Sequence, residues 1–285
     1  MSAKIIDGKA LARKVRQEYR SRVDQLAMNG RRPGLAVILV GSDPASQVYV
    51  RNKIRACEDL GIISTLHGFA ADVRERTLLE RIHELNADTS VDGILVQLPL
   101  PPQVSVAKVL EAIAHDKDVD GFHLYNVGRL MTGSAIFPPC TPYGVMKLLE
   151  AEGIRVAGKN VTVVGASNIV GKPMALMLMQ QGATVSVCHA GTRDLSEFTR
   201  MADIIVVAAG CPGLITAEMV KPGVVVIDVG INRLPDGSIT GDVDFEAVRQ
   251  KASYITPVPG GVGPMTVTML MVNTIVSAER SGVPA

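Results

Sequence analysis

The chain has no tryptophan, and phenylalanine and tyrosine number only five each among its 285 residues. Aromatic platforms for stacking successive bases are therefore scarce, which argues against a single-strand nucleic-acid binder. An excess of one charge is missing too. The 29 Lys and Arg against 28 Asp and Glu leave a formal net charge of +1, without the basic surplus that a nucleic-acid surface needs. Four cysteines, Cys57, Cys140, Cys188 and Cys211, stand far apart with no C-x-x-C pair. Neither a disulfide framework nor a zinc site is expected from them, and isolated thiols suit a reducing cytoplasm. The five histidines are dispersed, with no H-E-x-x-H, and no twelve-residue calcium loop occurs, so no metal is expected. No apolar run approaches the ~20 residues of a membrane span. Residues 1–7 also lack the apolar core of a signal peptide. The expectation is a cytoplasmic protein with neither a membrane nor a nucleic-acid partner.

What the chain does have is alternation. Residues 9–28 read as a helix ended by Asn29-Gly30, and 34–40 (GLAVILV) as a strand apolar on both faces. Residues 44–60 read as a helix with Asp43 as N-cap, Pro44 at its first position and Gly61 just past its end. Strands follow at 62–69 and 93–97, and helices at 74–86 and 104–114. Residues 115–140 look irregular. Thr141, as N-cap, opens the next helix before Pro142. The second half continues with strands at 161–164, 183–188, 204–208 and 224–228, a helix at 171–181 and a final helix at 265–280. Such alternation predicts an α/β fold of two domains, the C-terminal one a Rossmann-like doubly wound parallel sheet. The final helix allows a discontinuous first domain, 1–139 plus 265–285, with 140–264 as the second.

Residues 161–173 (VTVVGASNIVGKP) read as strand, glycine loop and helix, the outline of a dinucleotide site. A P-loop is disfavoured, because five residues separate Gly165 from Gly171 and Pro173 follows Lys172. A full G-x-G-x-x-G is also missing, and an ordinary strand-to-helix turn has the same outline. At the end of the next strand, Cys188-His189-Ala190-Gly191-Thr192-Arg193, no acid is available for a ribose hydroxyl. Arg193 nearby favours a 2′-phosphate, hence NADP, although a solvated loop arginine fits as well. Ala208-Ala209-Gly210 and Asp228-Val-Gly-Ile231-Asn232 place small residues at two more strand ends, where ligands cross such sheets.

In the first half, Tyr49 and Lys53 lie four apart in the predicted helix and share a face beside the apolar Val50, Ile54 and Cys57. A partly desolvated lysine there makes neutral amine available, and a tyrosine can stack on a flat heterocycle. An amphipathic rim with a snorkelling lysine reads the same way. Gln97 ends an apolar strand, where it either caps a backbone group or faces a site. Asp116, Asp118 and Asp120 cluster in a loop, and a solvated acidic turn fits the first two. The stretch 257–264 (PVPGGVGP) is rigid and small. It allows close backbone approach to a ligand, and one of its X-Pro bonds is a candidate for cis. Met265 and Met269 after it read as core.

Taken together, Tyr49-Val-Arg-Asn-Lys53, Val96-Gln-Leu-Pro-Leu-Pro101, Lys117-Asp-Val-Asp-Gly121, Pro139-Cys-Thr-Pro142, the Gly165–Gly171 loop and Pro257-Val-Pro-Gly-Gly-Val-Gly-Pro-Met-Thr266 occur in that order. Over nearly its whole length the chain resembles the bifunctional methylenetetrahydrofolate dehydrogenase/methenyltetrahydrofolate cyclohydrolase family. The resemblance implies two α/β domains around a cleft, folate in the cleft with its pterin near Tyr49 and held by Asp120, and Lys53, supported by Gln97, as the acid/base of hydrolysis. It implies further folate contacts from Leu98, Gly260, Gly261 and Pro264. NADP would lie against Gly165, Ala166, Ser167 and Ile231, with its ribose near Ala190, in a homodimer. Many members carry Arg where this chain has Ala166 and Ser where it has Ala190, positions that contact the 2′-phosphate, so Arg193 or Ser167 would take over that contact. A monofunctional NAD-dependent dehydrogenase is the alternative.

Overall fold

A computed structural model describes residues 2–281. Its elements run β1 (Lys4–Ile5), α1 (Gly8–Met28), β2 (Gly34–Val40), α2 (Pro44–Leu60), β3 (Ile63–Phe69), α3 (Glu75–Ala87), β4 (Gly93–Val96), α4 (Val106–Ala112), α5 (Leu124–Met131) and α6 (Cys140–Ala151). They continue with β5 (Asn160–Val164), α7 (Gly171–Gln180), β6 (Thr184–Cys188), α8 (Leu195–Met201), β7 (Ile204–Val207), β8 (Val225–Asp228), β9 (Asn232–Arg233), β10 (Ile239–Thr240), α9 (Phe245–Arg249), β11 (Tyr254–Ile255) and α10 (Val262–Ser281). Two compact units result. One holds Lys14–Cys140 and the chain from Val267 onward, the other the chain up to Arg13 and Thr141–Thr266.

The first unit is built on a three-stranded parallel sheet in the order β3-β2-β4. Every residue of β2 and β4 is buried, as their unbroken apolar runs require. Ile38, Ile82, Ile94 and Val109 pack at the centre of this core. The chain leaves β2 for β3 on one side and returns to β4 on the other, so the strand order reverses at β2/β4. Ligands of open α/β sheets bind at the carboxyl ends of strands beside such a switch. α2 begins as its sequence directs. Asp43 accepts the Ser46 amide at 2.8 Å, Pro44 opens the helix, and Gly61 closes it at φ 76°.

The second unit carries a six-stranded, all-parallel sheet in the order β1-β11-β8-β7-β5-β6. The chain runs from β5 out to β6 and then crosses back to β7, which gives the Rossmann-type switch at β5/β7. Ile205, Val207, Val226 and Ile255 pack on one face of this sheet.

Three sequence expectations change. Residues 1–13 group with the second unit rather than the first, because β1 pairs in parallel with β11. The stretch 115–140 is not wholly irregular, since it contains α5. The helix expected to open at Pro142, with Thr141 as N-cap, starts two residues earlier, at Cys140. Met265 and Met269 are core, both nearly inaccessible, and Val258–Pro259 is cis, as is Leu98–Pro99.

Candidate active site and dinucleotide site

In the first unit, α2 and the end of β4 bring two of the expected residues together. The Lys53 ammonium donates to Gln97 Oε1 at 3.0 Å. Gln97 lies one residue beyond β4, and its amide still bonds to the Ile38 carbonyl at 2.9 Å, so the ladder fixes its backbone at the switch. Its own side-chain amide donates to the Leu98 carbonyl at 2.7 Å. Gln97 therefore both caps a backbone group and holds Lys53. Tyr49, one turn before Lys53 on α2, is partly buried, and burial raises its phenol above the usual value, keeping it a neutral hydroxyl.

Asp120 is electrostatically close to the pair. Burial pushes its carboxyl up, and the Lys53 ammonium pulls it down. Beside it, the Cys140 thiol lies 3.3 Å from the Val119 carbonyl and within hydrogen-bonding reach of the Asp120 carboxyl. Burial, followed by the Asp120 charge, raises that thiol well above its normal range. From α10, Asn273 donates to the carbonyls of Val119 at 2.8 Å and Pro138 at 3.0 Å. It thus clamps the segments that carry Asp120 and Cys140.

Asp118 departs from expectation. It is not a solvated turn residue but 1% exposed. It accepts the amides of Phe122 at 3.2 Å and His123 at 2.8 Å and the Asn126 side chain at 2.8 Å. These bonds anchor the start of α5 and turn the loop so that Asp120 follows. Asp116 is exposed, as expected. The arrangement sets one cation, held by an amide oxygen, beside a phenol, a carboxyl and a thiol whose proton affinities burial raises. Proton transfer between Lys53 and a bound electrophile's water is chemistry that such an arrangement can perform.

In the second unit, Gly165 and Gly171 frame the turn from β5 to α7. Their need for glycine comes first from the protein itself. A Cβ on Gly171 would lie 2.0 Å from the Gly165 carbonyl oxygen, and one on Gly165, at φ 116°, 2.2 Å from that of Ala208. Ser167 caps α7, its hydroxyl accepting the amides of Val170 at 3.1 Å and Gly171 at 3.4 Å. Two of the helix-start donors are thereby already occupied. Ala166 is partly buried and Ala190 exposed. At the end of β6 the exposed His189 ring accepts the Gly191 amide at 3.0 Å. Among the described residues no carboxylate bonds to this turn, and the nearby Asp194 is committed to Ser196 at the start of α8. Arg193 is exposed and makes no hydrogen bond or ion pair among the described residues. Ile231, between β8 and β9, leaves 46% of its surface open. An unpaired guanidinium, open apolar side chains and tight glycine turns at a sheet switch suit a phosphorylated dinucleotide.

The loop with Gly260, at φ 118°, and Gly261 belongs to this unit. The Lys9 amide donates to the Gly260 carbonyl at 3.1 Å, and Gly8 packs against Gly261 so closely that a Cβ there would meet its oxygen at 1.7 Å. Pro264 follows in the first turn of α10. No group of three or more His, Cys, Asp or Glu able to hold a metal occurs among the described residues, and none of their helices is long and apolar enough to cross a membrane.

Residues 6–120 match the catalytic-domain model of tetrahydrofolate dehydrogenase/cyclohydrolase, and residues 139–282 match its NAD(P)-binding-domain model. The chain belongs to the tetrahydrofolate dehydrogenase/cyclohydrolase family. The bifunctional protein FolD of Nitrosospira multiformis is 61% identical over 281 residues, 99% of this chain and 98% of that protein. Among solved structures, the Campylobacter jejuni bifunctional FolD dehydrogenase/cyclohydrolase superposes with a TM-score of 0.96 at 55% identity, covering 98% of this chain and 99% of that one. The Trypanosoma brucei dehydrogenase-cyclohydrolase, complexed with NADP and an inhibitor, gives 0.95 at 40% identity and 99% coverage of both. Within the family's two-domain plan, Lys53, Gln97 and Asp120 fall in the catalytic-domain match, and Gly165 through Ile231 in the NAD(P)-binding match. Sequence reading passed over Cys140 and Asn273 as site components. Their only signal is a polar residue inside an apolar helix, in the case of Asn273, and a thiol between two prolines and a threonine.

Proposed function

We propose that this chain oxidises 5,10-methylenetetrahydrofolate to the 5,10-methenyl compound with NADP and then hydrolyses that product to 10-formyltetrahydrofolate. The observation that carries the reading is the Lys53–Gln97 pair in the catalytic-domain match, in a chain whose other half is a Rossmann-type sheet. Bound NADP supplies the hydride acceptor. The protein's part in the oxidation is positioning, because hydride leaves the methylene bridge directly and no strong acid is needed. In the proposed binding mode Tyr49 stacks on the pterin, Asp120 holds its polar edge, and Leu98 lies along the folate.

Hydrolysis needs more. Water adds to the methenyl carbon, and the bond from that carbon to N5 breaks. Lys53, oriented by Gln97 and acting as the neutral amine beside the cationic methenyl group, takes one proton from the adding water and gives it to N5 as the ring opens, and the remaining hydroxyl proton leaves to solvent as the formyl C=O forms. For the dinucleotide, Gly165, Ala166 and Ser167 lie along the phosphates, Ala190 near the ribose and Ile231 against the nicotinamide end. Arg193 is the better partner for the 2′-phosphate, since the Ser167 hydroxyl is turned onto the start of α7. A homodimer is supported by β3, an edge strand that exposes Ile63 at 55% and Leu66 at 51%. A cytoplasmic location is supported by four free thiols.

The test is an absorbance assay of methylenetetrahydrofolate oxidation, run in parallel with NADP and NAD. Turnover with NADP followed by loss of the methenyl absorbance is expected. Turnover with NAD alone and a persistent methenyl product would replace the reading with a monofunctional NAD-dependent enzyme.

A further inference from the structure

Two aspartates that the proposed chemistry does not use sit in the core of the second unit. Asp242 is 0% exposed and Asp228 is 3% exposed. No lysine or arginine pairs with either of them among the described residues. Their charges are met by amides instead. Asp242 Oδ2 accepts the backbone N–H of Ala209 at 2.7 Å and of Gly210 at 2.9 Å. Its Oδ1 accepts the N–H of Cys211 at 2.9 Å and the Asn232 side-chain amide at 2.8 Å. Three consecutive amides after β7 thus converge on one carboxylate, and the same carboxylate holds the residue that follows Ile231.

Asp228 holds Asp242 in turn. Its Oδ1 accepts the amides of Asp242 at 3.0 Å and Gly230 at 2.9 Å, and its Oδ2 accepts that of Val243 at 3.0 Å. The local sequence is shaped around these bonds. A Cβ on Gly230 would meet Asp242 Cγ at 2.4 Å, and one on Gly241 would meet Asp228 Oδ2 at 1.9 Å. The glycines in Asp228-Val-Gly230 and Gly241-Asp242 therefore exist to admit a carboxylate of the protein.

Both loops so fixed stand at carboxyl ends of strands. The Ala208–Cys211 turn follows β7 at the sheet's switch, with the Ala208 carbonyl lying against Gly165. Gly230–Asn232 follows β8 and presents the open Ile231 side chain. We infer that Asp242, seated by Asp228, is a positioning residue for the dehydrogenase reaction, setting the shape of the two strand-end loops that receive the dinucleotide. The inference rests on the dinucleotide reading given above. It adds that these loops are organised from beneath by an internal anion rather than by the ligand. Their amides point inward, so what they offer the dinucleotide is carbonyls, glycine surface and Ile231. Pre-organisation of this kind lowers the ordering cost of binding.

Asp242→Asn is nearly isosteric and tests this directly. Its amide oxygen keeps two of the backbone donors, while its NH2 faces the Cys211 N–H, leaving that donor unmet. Two activities in one chain provide an internal control, because methenyl hydrolysis is assigned to the other unit and uses no dinucleotide. The Kd and KM for NADP should rise at least ten-fold, with the folate KM and the rate of methenyl hydrolysis within two-fold of wild type. Asp228→Asn should shift the same constants in the same direction. A parallel fall in both activities would reduce Asp242 to a merely structural role and overturn the inference. So would an NADP Kd within two-fold of wild type in both variants. Failure of the wild-type protein itself to bind NADP would overturn the dinucleotide reading and this inference with it, an outcome told apart by the wild-type titration alone.

Discussion

The Lys53 ammonium and Gln97 Oε1 stand 3.0 Å apart, the one on a helix that follows β2 and the other at the end of β4. Gln97 also donates to Leu98, so its amide cannot turn around without breaking that bond, and the oxygen stays aimed at the lysine. Gln97→Leu removes the acceptor while keeping the volume. Methenyl hydrolysis should fall by about 10²-fold, within the range of a mispositioned acid/base group, with NADP affinity unchanged. Stopped-flow loss of the methenyl absorbance measures the rate.

Arg193 is the cation without a partner at the end of β6. If it reads the 2′-phosphate, Arg193→Ala should weaken NADP binding about 10–100-fold, the worth of one charge-assisted contact. NAD should bind as before. Calorimetric titration of the variant with each dinucleotide separates the two.

Glycines in this chain differ sharply in what they do. A Cβ on Gly171 would strike the Gly165 carbonyl at 2.0 Å, whereas one on Gly128 in α5 has open space around it. Gly171→Ala should therefore cost about 1–3 kcal/mol and weaken NADP binding. Gly128→Ala should stabilise by about 0.4–1 kcal/mol through the unfolded chain and the helix. Urea midpoints of both variants against wild type check the opposite signs.

Much of this was legible beforehand, for identifiable reasons. The apolar runs of β2 and β4 and the Asp43, Pro44 and Gly61 punctuation of α2 are local signals, and the structure follows them. α5 was not legible. Its N-cap is His123, which accepts the Tyr125 amide at 3.0 Å, and its entry is held by Asp118 from outside the helix. Neither feature resembles a Ser, Thr, Asp or Asn cap. β1 and β11 are two residues each, and β1 is defined only by pairing with β11 across about 250 residues of chain. In the site, Tyr49 and Lys53 were legible as one face of a helix. Their meeting with Gln97, 44 residues on from Lys53, followed only from the family resemblance. Asp242 gave no signal at all, because its partners at 209–211 lie more than 30 residues away.

Burial raises the Asp228 carboxyl from 3.8 to about 6, against the pull of its backbone N–H bonds. Between these values the folded state holds the proton that the unfolded state has released. Stability therefore falls as pH rises from about 4 to about 6 and then levels off. The contribution of this group is on the order of 3 kcal/mol over that interval. Asp228→Asn, which cannot titrate, lacks this slope. Chemical denaturation of both proteins at pH 4.5, 5.5, 6.5 and 7.5, all roughly spanning the window, should show wild type losing ground to the variant as pH rises. Parallel curves would contradict the assignment.

The central claim is that one chain hydrolyses the methenyl product through Lys53, and Lys53→Ala tests it most directly. Methenyl hydrolysis should drop at least about 100-fold, while the melting temperature and NADP affinity stay at wild-type values. Hydrolysis at the wild-type rate in a folded, NADP-binding Lys53→Ala protein would contradict it.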